Sequence, residues 1–367
     1  MVYTRRSRST KVAKAVASRY QRVKVRTVPL SRLVEFLTGT PDPMDKRGRD
    51  QLIGRCEWES YDTRKRNRAV GFVERKSLVA QHSLKPPLCF SRTPKNELFD
   101  ADHAKAIKSP KLMLRAKDAP ITVLVPKYML PVSSLIGMVP RLKTTPTEDL
   151  AVILNSRLFN FYWRYFYPRQ GGKPAVPPVE RLTEFMVPIL TKTNGAAFRK
   201  VRDKILKLGR ENATLLGSVD QVQKIADEAG IQVIPIGETE GMIREINVPR
   251  PLGPVANVKR RGPVVIFSRG STIVTTTEEA ATYLEFWLQQ RFDQLDGMTR
   301  EDLEEYIRMP MSTALVVEVL QRQARIESQI ETTQKQIDEL QAEADDHLYD
   351  LYALDDNERA YLISAFP

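Results

Sequence analysis

The chain has 367 residues, with 57 Lys and Arg against 45 Asp and Glu, a net charge of +12 and 42% hydrophobic residues. At about 100–200 residues per domain, this length predicts two or three units and excludes one small module. Two cysteines (Cys56, Cys89) and three histidines (His82, His103, His347) are too few for a disulfide framework or a thiolate–imidazole zinc site, and no apolar stretch approaches the ~18 residues that cross a bilayer. The expectation is a cytoplasmic protein with no membrane partner.

The charge is segregated along the chain. Residues 1–32 carry ten Lys and Arg and no acid, residues 33–277 a positive surplus of 16, and residues 278–367 a negative surplus of 14. The basic three-quarters suits a polyanion such as DNA, because each neutralised phosphate releases condensed counterions. The acidic end is left to be solvated, to pair with the basic part or to face a protein partner.

In chain order, residues 1–28 combine basic residues with Ser, Thr and little bulky apolar content, which predicts a disordered basic arm whose Arg5, Arg6, Arg8, Lys11 and Lys14 meet phosphates. From Pro29 the pattern is globular, with β-like runs at Val70–Val73, Leu112–Leu114 and Ile121–Val125. The segment TPTEDLAVILNSRLFNFYWRYFYP predicts one helix, capped by Thr147 and stopped at Pro168. After the loop PRQGGKPAVPPVERL and the run Glu184–Leu190, residues from Phe198 to Ala226 recur at steps of three and four, a heptad seam with Asn212 as its polar member and Gly209 and Gly217 as weak points. Residues 231–312 hold β runs at Pro263–Phe267 and Thr272–Thr276, then an acidic helix from about Thr277. A second seam runs from Val316 to Leu351. The fold class is therefore α+β: a mixed globular domain plus long heptad-patterned helices that pack as an antiparallel coiled coil.

Phosphate-cradling and dinucleotide-binding glycine loops, HExxH, GxSxG and paired-cysteine motifs are all absent. The two Pro-Pro pairs, at Pro86-Pro87 and Pro177-Pro178, lack the polar and aromatic neighbours with which adenine methyltransferases hold a flipped base. One loose nuclease pattern exists: Asp42 or Asp62 followed by Glu74-Arg75-Lys76, in which carboxylates would hold Mg²⁺ and Lys76 would orient a water. A solvated strand end is the simpler reading of those residues, and a turn or helix cap that of Asp100, Asp102 and His103. Binding chemistry is better represented. Lys111 and Arg115 bracket KLMLR; Arg157 and Arg164, seven apart, share a helix face; and Arg169, Gln170, Gly171, Gly172 and Lys173 follow in a loop. Arg and Gln read guanine and adenine bidentately, Lys neutralises phosphate, and adjacent glycines let a backbone approach a duplex closely. The aromatic run Phe159–Tyr167 has helical spacing and is read as domain core.

The stretches SPKLMLR, DLAVILNSRLFNFYWRYF, the GGK loop and LTEFMVPIL resemble, in that order, the target-recognition domain at the C-terminal end of TaqI-type and type IIG DNA methyltransferases. The ending IDELQAEADDHLYDLYALDDNERAYL is similar to that of type IIG enzymes and related specificity polypeptides. These stretches span about 120 residues; Leu190 stands where the family's strand ends in proline, and no methyltransferase domain precedes them. The resemblance implies recognition without catalysis, as in the separate specificity subunits of type I and type IIB restriction-modification systems. It implies double-stranded DNA and a DNA methyltransferase subunit as partners, joined by a nuclease subunit where the system restricts, with S-adenosylmethionine bound by the partner and no cofactor on this chain. The expected organisation is an arm (1–28), a DNA target-recognition domain (29–192), a spacer helix (196–229), a smaller α/β unit that is the candidate for a second recognition unit (231–312), a coiled-coil helix (313–354) and a tail (355–367). The alternatives are a Mg-dependent endonuclease using Glu74 and Lys76, and a DNA scaffold protein without sequence preference.

Overall fold

The structure, a computed structural model, describes residues 2–21, 26–38, 58–59, 70–73, 78–84, 90–91, 108–116, 120–127, 129–131, 135–143, 146–166, 169–170, 173–174, 178–219, 221–253, 258–268, 270–291, 295 and 297–366. At 2–10, 38, 58–59, 70–73, 90–91, 169–170, 173–174, 178 and 268 it describes backbone alone. The helices are α1 (Val2–Gln21), α2 (Leu30–Leu33), α3 (Thr147–Ile153), α4 (Arg157–Tyr165), α5 (Pro178–Thr183), α6 (Ala196–Ser218), α7 (Val222–Glu228), α8 (Glu278–Gln289), α9 (Arg300–Tyr306), α10 (Thr313–Leu351) and α11 (Asp356–Ala365). The chain divides into two units, Met1–Ala213 with Thr333–Pro367, and Thr214–Thr332.

In the first unit an antiparallel sheet runs in the order Val34–Thr38, Ile136–Pro140, Lys111–Arg115, Ile121–Val125. The predicted single helix over Thr147–Pro168 is instead two, α3 and α4, broken at Leu154-Asn155-Ser156. Two side chains account for the break. Asn155 Oδ1 accepts from Thr122 N (2.8 Å) and its Nδ2 donates to Thr122 O (2.7 Å), which ties the turn to the neighbouring strand. Ser156 adopts extended backbone and its hydroxyl accepts from Phe159 N, the arrangement that starts a new helix. Thr147 is not the cap of α3; Pro146 holds that place, without a side-chain bond.

Residues 2–21 form a helix rather than a disordered arm. Ala13, Val16, Ala17 and Tyr20 are buried, and α1 packs on α11. The Tyr20 hydroxyl accepts from Met186 N (2.9 Å), its ring stacks on Tyr352 (5.8 Å), and Arg19 is paired with Glu358 (2.7 Å) and Asp355 (3.3 Å). The C-terminal segment is likewise part of the domain and not a free tail. Ile337, Ala344, Leu348, Tyr349, Tyr352 and Phe366 share one core with Phe159, Phe185 and Phe198. From Gln341 to Tyr349 the buried positions of α10 spread wider than a seam, as a helix set into a domain core requires. Asp355 starts α11 with a capping box to Glu358.

Within this unit α6 and α10 lie antiparallel. Lys204, Lys207 and Leu208 face Gln336, Glu339, Leu340 and Glu343 across a groove of about 490 Å³, and Asn212 meets Gln334. The seam through Phe198, Val201, Ile205 and Asn212 is buried as its spacing predicts, but the expected spacer helix over 196–229 ends at Ser218 and restarts at Val222.

The second unit contains an antiparallel sheet in the order Ile243–Asn247, Ser271–Thr275, Val264–Ser268, Lys259–Arg261. Helix α8, capped by the Thr277 hydroxyl, packs on its last three strands. Val265, Phe267 and Ile273 are buried in one core with Tyr283, Leu284 and Trp287 of α8 and Val316 and Val319 of α10.

Candidate nucleic-acid interface

A network of buried polar side chains in the first unit surrounds the hairpin Leu78–Ala80/Ser83–Leu84. His82 at its turn has φ of 59°, is buried, and bonds through Nε2 to Gln341 Oε1 (2.8 Å). Gln341 Nε2 donates to Val152 O (3.3 Å) and Asp345 Oδ1 (3.1 Å), so its amide oxygen faces the imidazole. That orientation puts the imidazole hydrogen on Nε2, and the Asn155 amide nitrogen lies beside the ring, 3.2 Å from Nε2 and 3.5 Å from Nδ1. Asp345 in turn accepts from the backbone N (3.2 Å) and Nη1 (3.3 Å) of Arg157. On the other side of the turn, the Ser83 hydroxyl donates to Gln334 Oε1 (2.6 Å) and accepts from Asn212 Nδ2 (2.9 Å). One hairpin turn thus clamps α6, α10 and the α3–α4 break together. Burial fixes the protonation states: it lowers His82 to about 4 and raises Asp345 to about 7.

This clamp reassigns several residues predicted to touch DNA. Arg157 is paired with buried Asp345, and its Nε donates to Phe366 O (3.1 Å). The Arg164 guanidinium lies 5.3 Å from the centre of the Phe366 ring. The two arginines do share a face, but the C-terminal residues cover part of it, and only Arg164 stays exposed. Lys111 is fully buried; its Nζ donates to Met129 O (2.8 Å) and burial lowers its pKa to about 8. It cannot reach a duplex from there. Arg115 donates to Leu78 O (2.9 Å), holding the clamp hairpin to the sheet. The aromatic run is core: Phe159, Phe161, Tyr162 and Trp163 are buried.

Arg169–Gln170 pairs with Lys173–Pro174 as a short antiparallel ladder, and Gly171 and Gly172 between them lie outside the described residues. In α1, Lys11 and Lys14 are exposed on the face opposite the buried Ala13 and Val16, while Arg5, Arg6 and Arg8 have described backbone only. Exposed Lys108, Lys127, Arg141 and Lys143 were missed in the sequence; Leu142, 64% exposed, sits between the last two. They lie at strand ends, where no motif spacing marks them. Asp42, Asp62, Glu74, Lys76, Asp100, Asp102 and His103 lie outside the described residues. Among the described residues there is no cluster of three or more His, Cys, Asp or Glu suited to a metal ion, and no helix long and apolar enough to cross a membrane.

No family model matches the chain, and no curated protein does. Among solved structures it is similar to a chain of a type I R-M system solved for its complex assembly and conformational transition, at 12% identity and a TM-score of 0.35, over 89% of this chain and 97% of that one. It is also similar to the S subunit of a type I restriction-modification system from M. genitalium (10% identity, TM-score 0.37, 90% of this chain and 96% of that one). A third is the HsdS subunit from Thermoanaerobacter tengcongensis (14% identity, TM-score 0.28, 91% and 96%).

Proposed function

We propose that this chain is a sequence-specific DNA-binding specificity subunit that positions a separate adenine methyltransferase on double-stranded DNA in the cytoplasm. The observation that carries the reading is a convergence. The stretches that resemble the target-recognition family, namely KLMLR, LNSRLFNFY, FMVP and the DLYAL ending, lie far apart in sequence but build one core. Asn155 bonds the strand beside KLMLR, Arg157 bonds Asp345, and the Tyr352 hydroxyl donates to Met186 O (3.2 Å). A domain held by those blocks leaves exposed Lys108, Lys127, Lys143, Lys11 and Lys14 for a polyanion, with the Arg169–Gln170/Lys173–Pro174 ladder as a further candidate. Methyl transfer, and the S-adenosylmethionine it consumes, belong in this reading to the partner subunit, which meets the acidic helices by charge and shape.

The test is binding of the purified chain to labelled duplexes across a salt series. The reading expects tight binding at low salt, with an affinity that falls linearly in log–log form, and preference for one sequence over scrambled controls. Equal affinity for unrelated duplexes would instead make the chain a scaffold, and no binding at low salt would remove DNA from the account.

A further inference from the structure

The small unit concentrates its positive charge in one stretch of sequence, which supplies three of the four strands of its antiparallel sheet. Residues 243–270 hold six of the twelve Lys and Arg in Thr214–Thr332 but one of its eighteen acids, Glu245. The strand register then sorts these residues by face. Arg260 points toward α8, pairing with Glu278 and Glu285 (3.5 Å each), and its neighbours across the sheet, Val265 and Ile273, are fully buried. Alternation places Lys259 and Arg261 on the opposite face. There the cross-strand rows read Lys259–Ile266–Thr272–Asn247 and Arg261–Val264–Val274–Glu245. All eight are half-buried or exposed, and both cations are exposed.

Resting on the DNA-binding reading above, we propose that this open face of the Lys259–Arg261 sheet is a docking surface for the phosphate backbone of DNA. Lys259 and Arg261 stand roughly 7 Å apart along one strand, by the rise of extended chain, and both project from the same side. Val, Ile and Thr lie beside them, with Asn247 and Glu245 at the far edge, and there is no ring among the eight residues to stack on a base, so the face contacts backbone and reads no sequence. Charged edge strands also discourage sheets from pairing edge to edge, but that role is indifferent to sign. It does not account for the near absence of acids over the whole of 243–270 in a unit that is otherwise strongly acidic.

The experiment compares the full chain with a Lys259→Gln/Arg261→Gln variant on labelled preferred and scrambled duplexes over a salt series. Two lost phosphate contacts lower the slope of log affinity against log salt by about 1.8, and the loss is equal on both duplexes because no base is read. A Thr272→Lys variant, which adds a cation to the same face, raises the slope by about 0.9. Arg260→Gln, on the covered face, lowers the melting temperature and leaves the slope unchanged. Wild-type binding with unchanged slopes in the double variant and in Thr272→Lys overturns the inference alone, including the case where the double variant instead loses an acidic protein partner. A wild-type chain that binds no duplex overturns the inference together with the reading beneath it.

Discussion

Gly209 shows how a residue can be misjudged from sequence. In the heptad seam it is a weak point, since glycine in a helix interior costs about 1 kcal/mol relative to alanine. In the fold a Cβ at this position would lie 2.7 Å from His82 O, closer than the backbone of the clamp hairpin allows. Propensity and packing therefore predict opposite signs for Gly209→Ala. The fold predicts destabilisation of about 1–3 kcal/mol, read as a lower urea midpoint; a raised midpoint would mean that the hairpin does not pack there. The two buried ionisable groups of the clamp also act with opposite sign. His82, held near 4 from an ordinary 6.5, loses stability as pH falls through that interval; Asp345, held near 7 from 3.8, loses it as pH rises. Between pH 4.5 and 6.5 the two largely cancel. Asp345→Asn removes one of them, so the variant should gain on the wild type by about 1.4 kcal/mol per pH unit over that interval. Urea titrations at three pH values measure this, and a difference independent of pH would contradict it. The DNA-contact residues were least legible at this scale. Arg157 and Lys111 have the chemistry of DNA ligands, and only their buried partners, Asp345 and Met129 O, reveal what they hold.

At the scale of elements, periodicity identified the long helices because their apolar stripes are strong and continuous. The two β runs on either side of Gly270 and the start of the acidic helix near Thr277 were also visible, and the local geometry agrees: Gly270 has φ of 78° and the Thr277 hydroxyl accepts from Ala280 N. Helix α1 was read as an arm because its buried stripe is mostly small residues among nine Lys, Arg, Ser and Thr at positions 4–14, and its partner α11 lies over 330 residues away. The α3–α4 break was hidden for a related reason: an Asn that bonds a strand looks the same in sequence as one facing solvent. If α1 is a docked element, Tyr20→Ala should cost about 3–5 kcal/mol, through loss of its stacking on Tyr352 and its contacts with Tyr162 and Phe185. Unchanged stability in that variant would return residues 2–21 to the status of an arm. Lys11 and Lys14 remain on its exposed face, so salt-sensitive phosphate contact survives this correction as a proposal for the helix.

For the whole molecule, the opposing charges first suggested a basic DNA-binding part and an acidic part that could be separated from it. The fold joins them. Thr333–Pro367 completes the core of the unit that contains KLMLR and LNSRLFNFY, so the acidic segment supports the unit proposed to recognise DNA, and the same proposal gives its outward carboxylates to a partner. Sequence spacing could not show this, because the contacts between Arg157 and Asp345, or His82 and Gln341, join positions 188 and 259 residues apart. The most direct test of the central claim is selection of the purified full chain against a library of random duplexes, followed by sequencing of the bound fraction. The account predicts enrichment of one defined motif over the input, lost when its bases are scrambled. Recovery of the input composition unchanged would contradict it.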